Sequence, residues 1–202
     1  MDRRIKKSQK AIMNALIHLM AEKDFEHITI NEIAEHADVN RGTVYSHYTD
    51  KYDLLDKCIE AQLQQLIKSC LPMDETETNL SMDSLLRTFQ QMEKDIFIYR
   101  TLLTNKGVPS FRNHLQEMMK KEIREQINEY SMDDTSKEII VQFLSSAIVG
   151  VIEWWLMQQT VPCSAKKLSA MLRQLLRLHS EGASLLLEGA SDEFAEDKGE
   201  GF

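Results

Sequence analysis

Residues 29–51 read TINEIAEHADVNRGTVYSHYTDK, and the rest of the chain is arranged around them. Thr29 and Glu32 stand at capping-box spacing, and apolar residues follow at Ile30, Ile33, Ala34 and Ala37. This predicts a short helix with a defined start that stops at Asp38-Val39-Asn40. Asn40 is placed to cap a second helix, from Arg41 to about His47. Ala34 falls where the two helices cross, a point at which a larger side chain would push them apart. Val39 and Val44 plug the space between them. Two short helices on so tight a turn make a helix-turn-helix, whose second helix lies in the major groove of DNA.

The polar half of that second helix carries the chemistry. Arg41, Thr43, Tyr45 and His47 lie off the core stripe of Val44 and Tyr48. Arg41 sits at the helix start, the part of a recognition helix that meets base edges, and a guanidinium bonds bidentately to guanine. Thr43 offers a hydroxyl and a methyl. Gly42 lets backbone come close to DNA. Asp50 is expected to cap the next helix, at whose start Tyr48 and Lys51 present a phenol and an ammonium suited to phosphate oxygens.

At these residues the string 28–55, ITINEIAEHADVNRGTVYSHYTDKYDLL, resembles the DNA-binding domain of the TetR/AcrR family of bacterial transcriptional regulators. The family pattern is met by Thr29, Ile33, Ala34, Ala37, Val39, Gly42, Thr43, Val44, Tyr45, His47, Tyr48, Lys51 and Leu54. Asp38 stands where a turn glycine is usual, and Asn40 where serine is usual. Aspartate tolerates the left-handed conformation better than most residues, and asparagine keeps the cap. The resemblance implies DNA contacts from Thr29, Asn40, Arg41, Gly42, Thr43, Tyr45, His47, Tyr48 and Lys51. It also implies an all-α, nine-helix architecture. A three-helix DNA-binding domain (1–48) would precede a ligand-binding and dimerisation domain (49–188) and a disordered acidic tail (189–202).

Composition agrees with a helical protein. The 202 residues are 43% hydrophobic, with 7 glycines and 3 prolines. Cys58, Cys70 and Cys163 are odd in number and widely spaced, which indicates neither a disulfide framework nor a zinc site but reduced thiols in the cytoplasm. His18, His27 and His36 show no common face and no partner cysteine, so no metal is expected. The basic N-terminus is not followed by an apolar run, so no signal peptide is read. The most apolar stretch, Phe143 to Met157, falls short of the ~20 residues a membrane-spanning helix needs.

The net charge of −8 is unevenly spread. Residues 1–57 hold nine basic and ten acidic residues, leaving 15 of the chain's 24 and 22 of its 32 for the remainder. The first ten residues alone carry Arg3, Arg4, Lys6, Lys7 and Lys10 against Asp2. A basic end on an acidic body fits DNA contact through the N-terminus only.

In chain order, residues 1–5 are expected as an arm and a first helix from about Lys6 to Lys23. A fourth helix, Asp50 to Cys70, ends before Pro72 and makes a natural lever between the two parts. Residues 72–80 read as a loop. Helices follow at 81–94, 96–104 and 110–130. Thr135 and Glu138 have capping-box spacing and open a helix to about Gln159 that is apolar on more than one face, so a second subunit is expected to cover it. Gly150, Ser145, Ser146 and Ala147 permit close approach. Adjacent Trp154 and Trp155 point about 100° apart. The helix at 164–187 completes the pair through which the family dimerises. FLSSAIVGVIEWWL is similar to a branch of the family that includes the activator of dihydroxyacetone kinase operons.

The expected function is a homodimeric, non-enzymatic regulator on a palindromic operator, in which a small molecule within the body tilts the fourth helix and releases a repressor. The alternative is an activator or co-activator whose body binds a protein. No nucleophile-base pair, paired carboxylates or phosphate loop points to an enzyme or a cofactor. Met92, Phe97, Tyr99, Met118, Met119, Phe143 and Trp154 are candidates for a pocket lining, though such stripes are more often plain core.

Overall fold

The computed structural model describes residues 3–70, 82–105, 110–128, 130–158 and 160–175. The loop expected at 72–80, the later turns of the 164–187 helix and the acidic tail lie outside the described residues. Eight α-helices follow one another: α1 (Arg3–Glu22), α2 (Ile30–His36), α3 (Arg41–Tyr45), α4 (Lys51–Cys70), α5 (Met82–Lys94), α6 (Ile96–Thr104), α7 (Ser110–Ile127) and α8 (Asp134–Met157). A short 3-10 turn, Phe25–His27, joins α1 to α2, and residues 165–175 are helical again. The described residues contain no strand.

The first helix begins at Arg3, so residues 3–5 are helical rather than part of an arm. Its buried stripe of Ile12, Leu16, Leu19 and Met20 packs with Phe25, Ile28, Ile33 and Val44 to form the core of an N-terminal head. Asp50 caps α4 as expected, accepting from the backbone N–H groups of Tyr52 (2.8 Å) and Asp53 (2.9 Å). Leu54, Ile59 and Leu66 then carry the buried stripe of α4 from the head into a C-terminal body.

In the body, α7 and α8 run antiparallel. Arg112 near the start of α7 pairs with Glu153 near the end of α8 (2.7 Å), and Arg124 near the end of α7 pairs with Glu138 near the start of α8 (3.0 Å). The cap of α8 is Asp133, which accepts from the Ser136 N–H at 3.0 Å, and not Thr135. Both residues have the required chemistry, and the helix starts two residues earlier than the capping-box spacing implied. Arg100 of α6 donates to the carbonyls of Leu156 and Gln158, both at 2.7 Å, closing the other end of α8. At 24 residues α8 is long and apolar enough to cross a membrane by length and composition, a correction to the shorter stretch read from sequence. Its Val141, Ile148, Ile152 and Trp155 nevertheless lie in the protein core.

The two tryptophans part as their spacing required. Trp155 is fully buried against Phe89 and donates to the Cys163 carbonyl at 2.9 Å, while Trp154 is 53% exposed. His18 and His36 do share a face: their rings stack with centroids 5.7 Å apart, because the α1–α2 packing brings together residues from two different helices. His27 is not part of that stack. Among the described residues, no group of three or more His, Cys, Asp or Glu is placed to hold a metal ion.

Candidate nucleic-acid interface

The turn between α2 and α3 is closed by backbone alone. The Val39 N–H donates to the Ala34 carbonyl (3.0 Å) and the Asp38 N–H to that of Glu35 (3.1 Å), with Asp38 in the left-handed region at φ 52°. Aspartate bears the conformation where glycine would have been the neutral choice. Ala34 is buried in the crook, and Val44 reaches it from α3 with no exposed surface. On the other side of α2, Thr29 and Glu32 form the full capping box. The Thr29 N–H donates to the Glu32 carboxylate (2.9 Å), and the Glu32 N–H donates back to the Thr29 hydroxyl (3.3 Å). Lys23 also bonds that carboxylate. The hydrogen bond from Lys23, then those from Thr29, hold the Glu32 carboxyl down at about 2.

Asn40 starts α3, its side-chain oxygen accepting from the Gly42 N–H at 2.8 Å. A Cβ on residue 42 would stand 3.3 Å from that oxygen, so glycine makes room for the cap. Arg41 and Tyr45 stand out from the exposed face. The guanidinium lies over the Tyr45 ring (5.3 Å to the centroid) and donates to its hydroxyl at 3.2 Å. Thr43 is half-buried beside them, and its carbonyl accepts from the Ser46 hydroxyl at 2.7 Å. His47 is half-buried, and with Ser46 it faces Arg4, Ile5, Ser8 and Gln9 of α1 across a shallow depression.

That depression ties the recognition turn to the basic helix end. Arg3, Arg4, Lys6, Lys7 and Lys10 are all exposed, and the first turn of α1 holds no acidic residue. Cations at a helix N-terminus oppose the macrodipole, so these charges do not serve the helix. They give the surface around Ser46 and His47 a positive field.

Two expected contacts turn inward. Tyr48 is 2% exposed, and its hydroxyl is buried without a hydrogen-bond partner. Burial first, then the proximity of Cys58 and Asp53, pushes that phenol up to about 12. It seats α3 on the core and does not face a phosphate. The Lys51 ammonium bends back onto the Phe25–His27 turn, donating to the carbonyls of Phe25 (3.1 Å) and Glu26 (2.8 Å), 4.8 Å from the Phe25 ring centroid. Beside it, Tyr52 donates to the Glu26 carboxylate at 3.0 Å. Sequence reasoning missed this anchor because its partners are main-chain oxygens 25 and 26 residues away. The pocket candidates are likewise not gathered into one lining. Met92, Tyr99 and Met119 are core, Met118 lies along the core edge, and Phe97 packs on His18 at 5.1 Å. Phe143 and Trp154 lie on the exposed side of α8.

A three-helix head that presents a capped, Arg-bearing third helix beside a cluster of cations defines a helix-turn-helix DNA-binding regulator. The family model described as bacterial regulatory proteins, tetR family, matches residues 12–58, and a transcriptional regulator C-terminal region of the same family matches residues 81–178. The chain belongs to the TetR family, whose members are DNA-binding transcription factors and not enzymes.

Relatives agree. The uncharacterized HTH-type transcriptional regulator YxbF of Bacillus subtilis (strain 168) is 24% identical over 75% of this chain. The match covers 40% of that protein, so the chain spans less than half of its length. The structure of a TetR transcriptional regulator from Streptococcus agalactiae 2603V superposes with a TM-score of 0.66 at 27% identity, covering 86% of this chain and 96% of that one. The dihydroxyacetone kinase operon activator DhaS shares the fold at a TM-score of 0.61 and 18% identity, over 85% and 95% of the two chains.

Proposed function

We propose that the chain is a homodimeric transcriptional repressor, working in the cytoplasm, that lays α3 of each subunit into the major groove of a palindromic operator. The observation that carries this reading is the outward pair of Arg41 and Tyr45 on a capped, rigid α3 flanked by the basic start of α1. Arg41 and Thr43 read base edges, while Tyr45, His47, Asn40 and the α1 cations hold phosphates. Thr29, Gly42, Tyr48 and Lys51 enter as the frame that holds α3 in place. Residues 1–48 act as the DNA-binding unit and the rest as the dimerising one.

Dimerisation is supported by one side of α8. Ile139, Phe143, Trp154 and Met157 are exposed along it, with Ser146, Ala147 and Gly150 between them, and Met171 and Leu175 are exposed on the following helix. Contiguous apolar surface of this extent marks an interaction site. A two-fold seam there sets the separation of the two heads, and a small effector taken up by the body releases DNA by changing that separation. Phe97 exposed at the start of α6 favours a second reading, an activator whose body binds a protein; a reporter gene placed behind the operator reads the sign of regulation directly.

In-vitro selection from a random duplex library, followed by titration of the winning sequence, tests the main reading. A recovered inverted repeat whose binding weakens steeply with salt supports it. Failure to enrich any sequence at low salt overturns it.

A further inference from the structure

We propose that Asn105 is the residue by which the body fixes the angle of the head, a positioning role that rests on the dimeric DNA-binding reading above. The last carbonyls of α1 lack partners within their own helix, as at any helix end. The Asn105 side chain, which follows α6, supplies them from the body. Its amide group donates to the Met20 carbonyl (2.6 Å) and the Lys23 carbonyl (2.9 Å), and its oxygen accepts from the Phe25 N–H (3.0 Å).

These bonds use both N–H groups and the oxygen of one side chain, all on backbone more than 80 residues away except the 80-residue step to Phe25. They also fix which way the amide faces. Turned over, it would set oxygen against two carbonyls and nitrogen against an N–H. Asn105 is itself held, since its N–H donates to the Thr101 carbonyl at 3.1 Å and so ends α6.

The same residue is gripped from the other side, through the next peptide group. The Phe25 carbonyl accepts from Lys51, the first residue of α4, three positions after the Tyr48 that seats α3. Asn105, the Phe25 backbone (its N–H on one side, its carbonyl on the other) and Lys51 therefore form a polar connection from α6 to the base of the recognition helix. Elsewhere α6 meets α1 through the Phe97 ring on His18, a contact that can slide. Hydrogen bonds to fixed backbone cannot slide without breaking. A turn of α6 thus carries the α1 end and the Phe25–His27 turn with it, independently of any tilt of α4.

The test uses the full chain and the duplex recovered by selection, remade with its half-sites one base pair closer and one farther, and with one half-site alone. Asn105→Asp keeps the size of the side chain but turns a donor toward Met20 and Lys23 into a carboxylate oxygen. The expected result is about a tenfold loss of affinity at the preferred spacing, with spacing preference flattened and the single half-site bound as by wild type. Faster hydrogen exchange at the Phe25 amide accompanies it. Asn105→Ala, read by the same criteria, replaces the aspartate variant should that fail to fold. Wild-type affinities at every spacing in a folded variant overturn the proposal, as does an equal loss on the single half-site, which would mark a merely structural residue. A wild-type protein with no spacing preference would instead overturn the dimeric reading, and does so before any variant is made.

Discussion

The head and the body dispose of their surfaces in opposite ways. Among the described residues of the head and the start of α4, the large apolar ones left exposed are Ile5, Tyr45 and Tyr52, and the first two lie at the basic start of α1 and on α3. The other large apolar residues described there are buried or partly buried, and the helix starts are closed by Thr29, Asn40 and Asp50. In the body, α8 alone exposes Ile139, Phe143, Trp154 and Met157. A surface suited to phosphates and base edges carries charge and hydroxyls on a stiff frame. A surface suited to a second copy carries apolar side chains and small residues, and its frame is completed only by that copy. The head is thus finished as a single chain, and the body, on the reading proposed here, is not.

The change that should break this contrast most strongly is Gly150→Arg. A Cβ at Gly150 meets nothing within 4 Å in the single subunit, so the arginine is tolerated by the fold and favoured in a helix over glycine. Sedimentation should show a monomer, and operator affinity should fall by on the order of a hundredfold with the loss of bivalency. A variant that still sediments as a dimer would move the seam away from this face. Next in size is Arg41→Ala, expected to cost about 1–3 kcal/mol at one base-pair position. Competition with singly substituted duplexes measures it, and an equal loss on every sequence would reassign the guanidinium to the backbone.

Asn40→Ala tests how far the head depends on its own caps. Loss of the bond to the Gly42 N–H should lower thermal stability by about 1 kcal/mol. A melting temperature equal to wild type would show that neighbouring groups replace the cap. The smallest effect is the acid response of Glu32. Its folded carboxyl is held at about 2, below the ordinary 4.5, so its stabilising contribution is whole above about 4.5 and fades as pH falls toward 2. Melting curves of wild type and Glu32→Gln should therefore differ at neutral pH and converge in acid, by a modest margin because the carboxylate is exposed. A constant gap across that range would mean the difference does not come from the carboxylate charge.

Most of the head was legible because its devices are local. Thr29 caps Glu32 three residues on, Asn40 caps Gly42, and Asp38 takes the left-handed turn that a glycine usually takes. What escaped was every contact whose partner is main chain from a distant segment. Lys51 looked like a surface cation until the Phe25 and Glu26 carbonyls came beneath it, and Asn105 fell between two expected helices with nothing to suggest a role. Tyr48 fitted both a core stripe and a phosphate contact, and periodicity alone does not say where a phenol's hydroxyl ends up. In the body, the apolar pattern of α8 announced two buried sides but not which one the chain itself covers. Candidate pocket residues chosen by type, such as Phe97 and Trp154, therefore fell on different faces.

The paired indoles of α8 make the protein its own optical gauge. Only two tryptophans exist in the sequence, and they sit in unlike surroundings, Trp155 sealed against Phe89 and Trp154 largely in water. Emission from the sealed one is shielded from water as long as the core stays closed. The colour of the other follows whatever comes to lie against that side of the helix, so dilution series and quencher titrations can be read without attaching any dye.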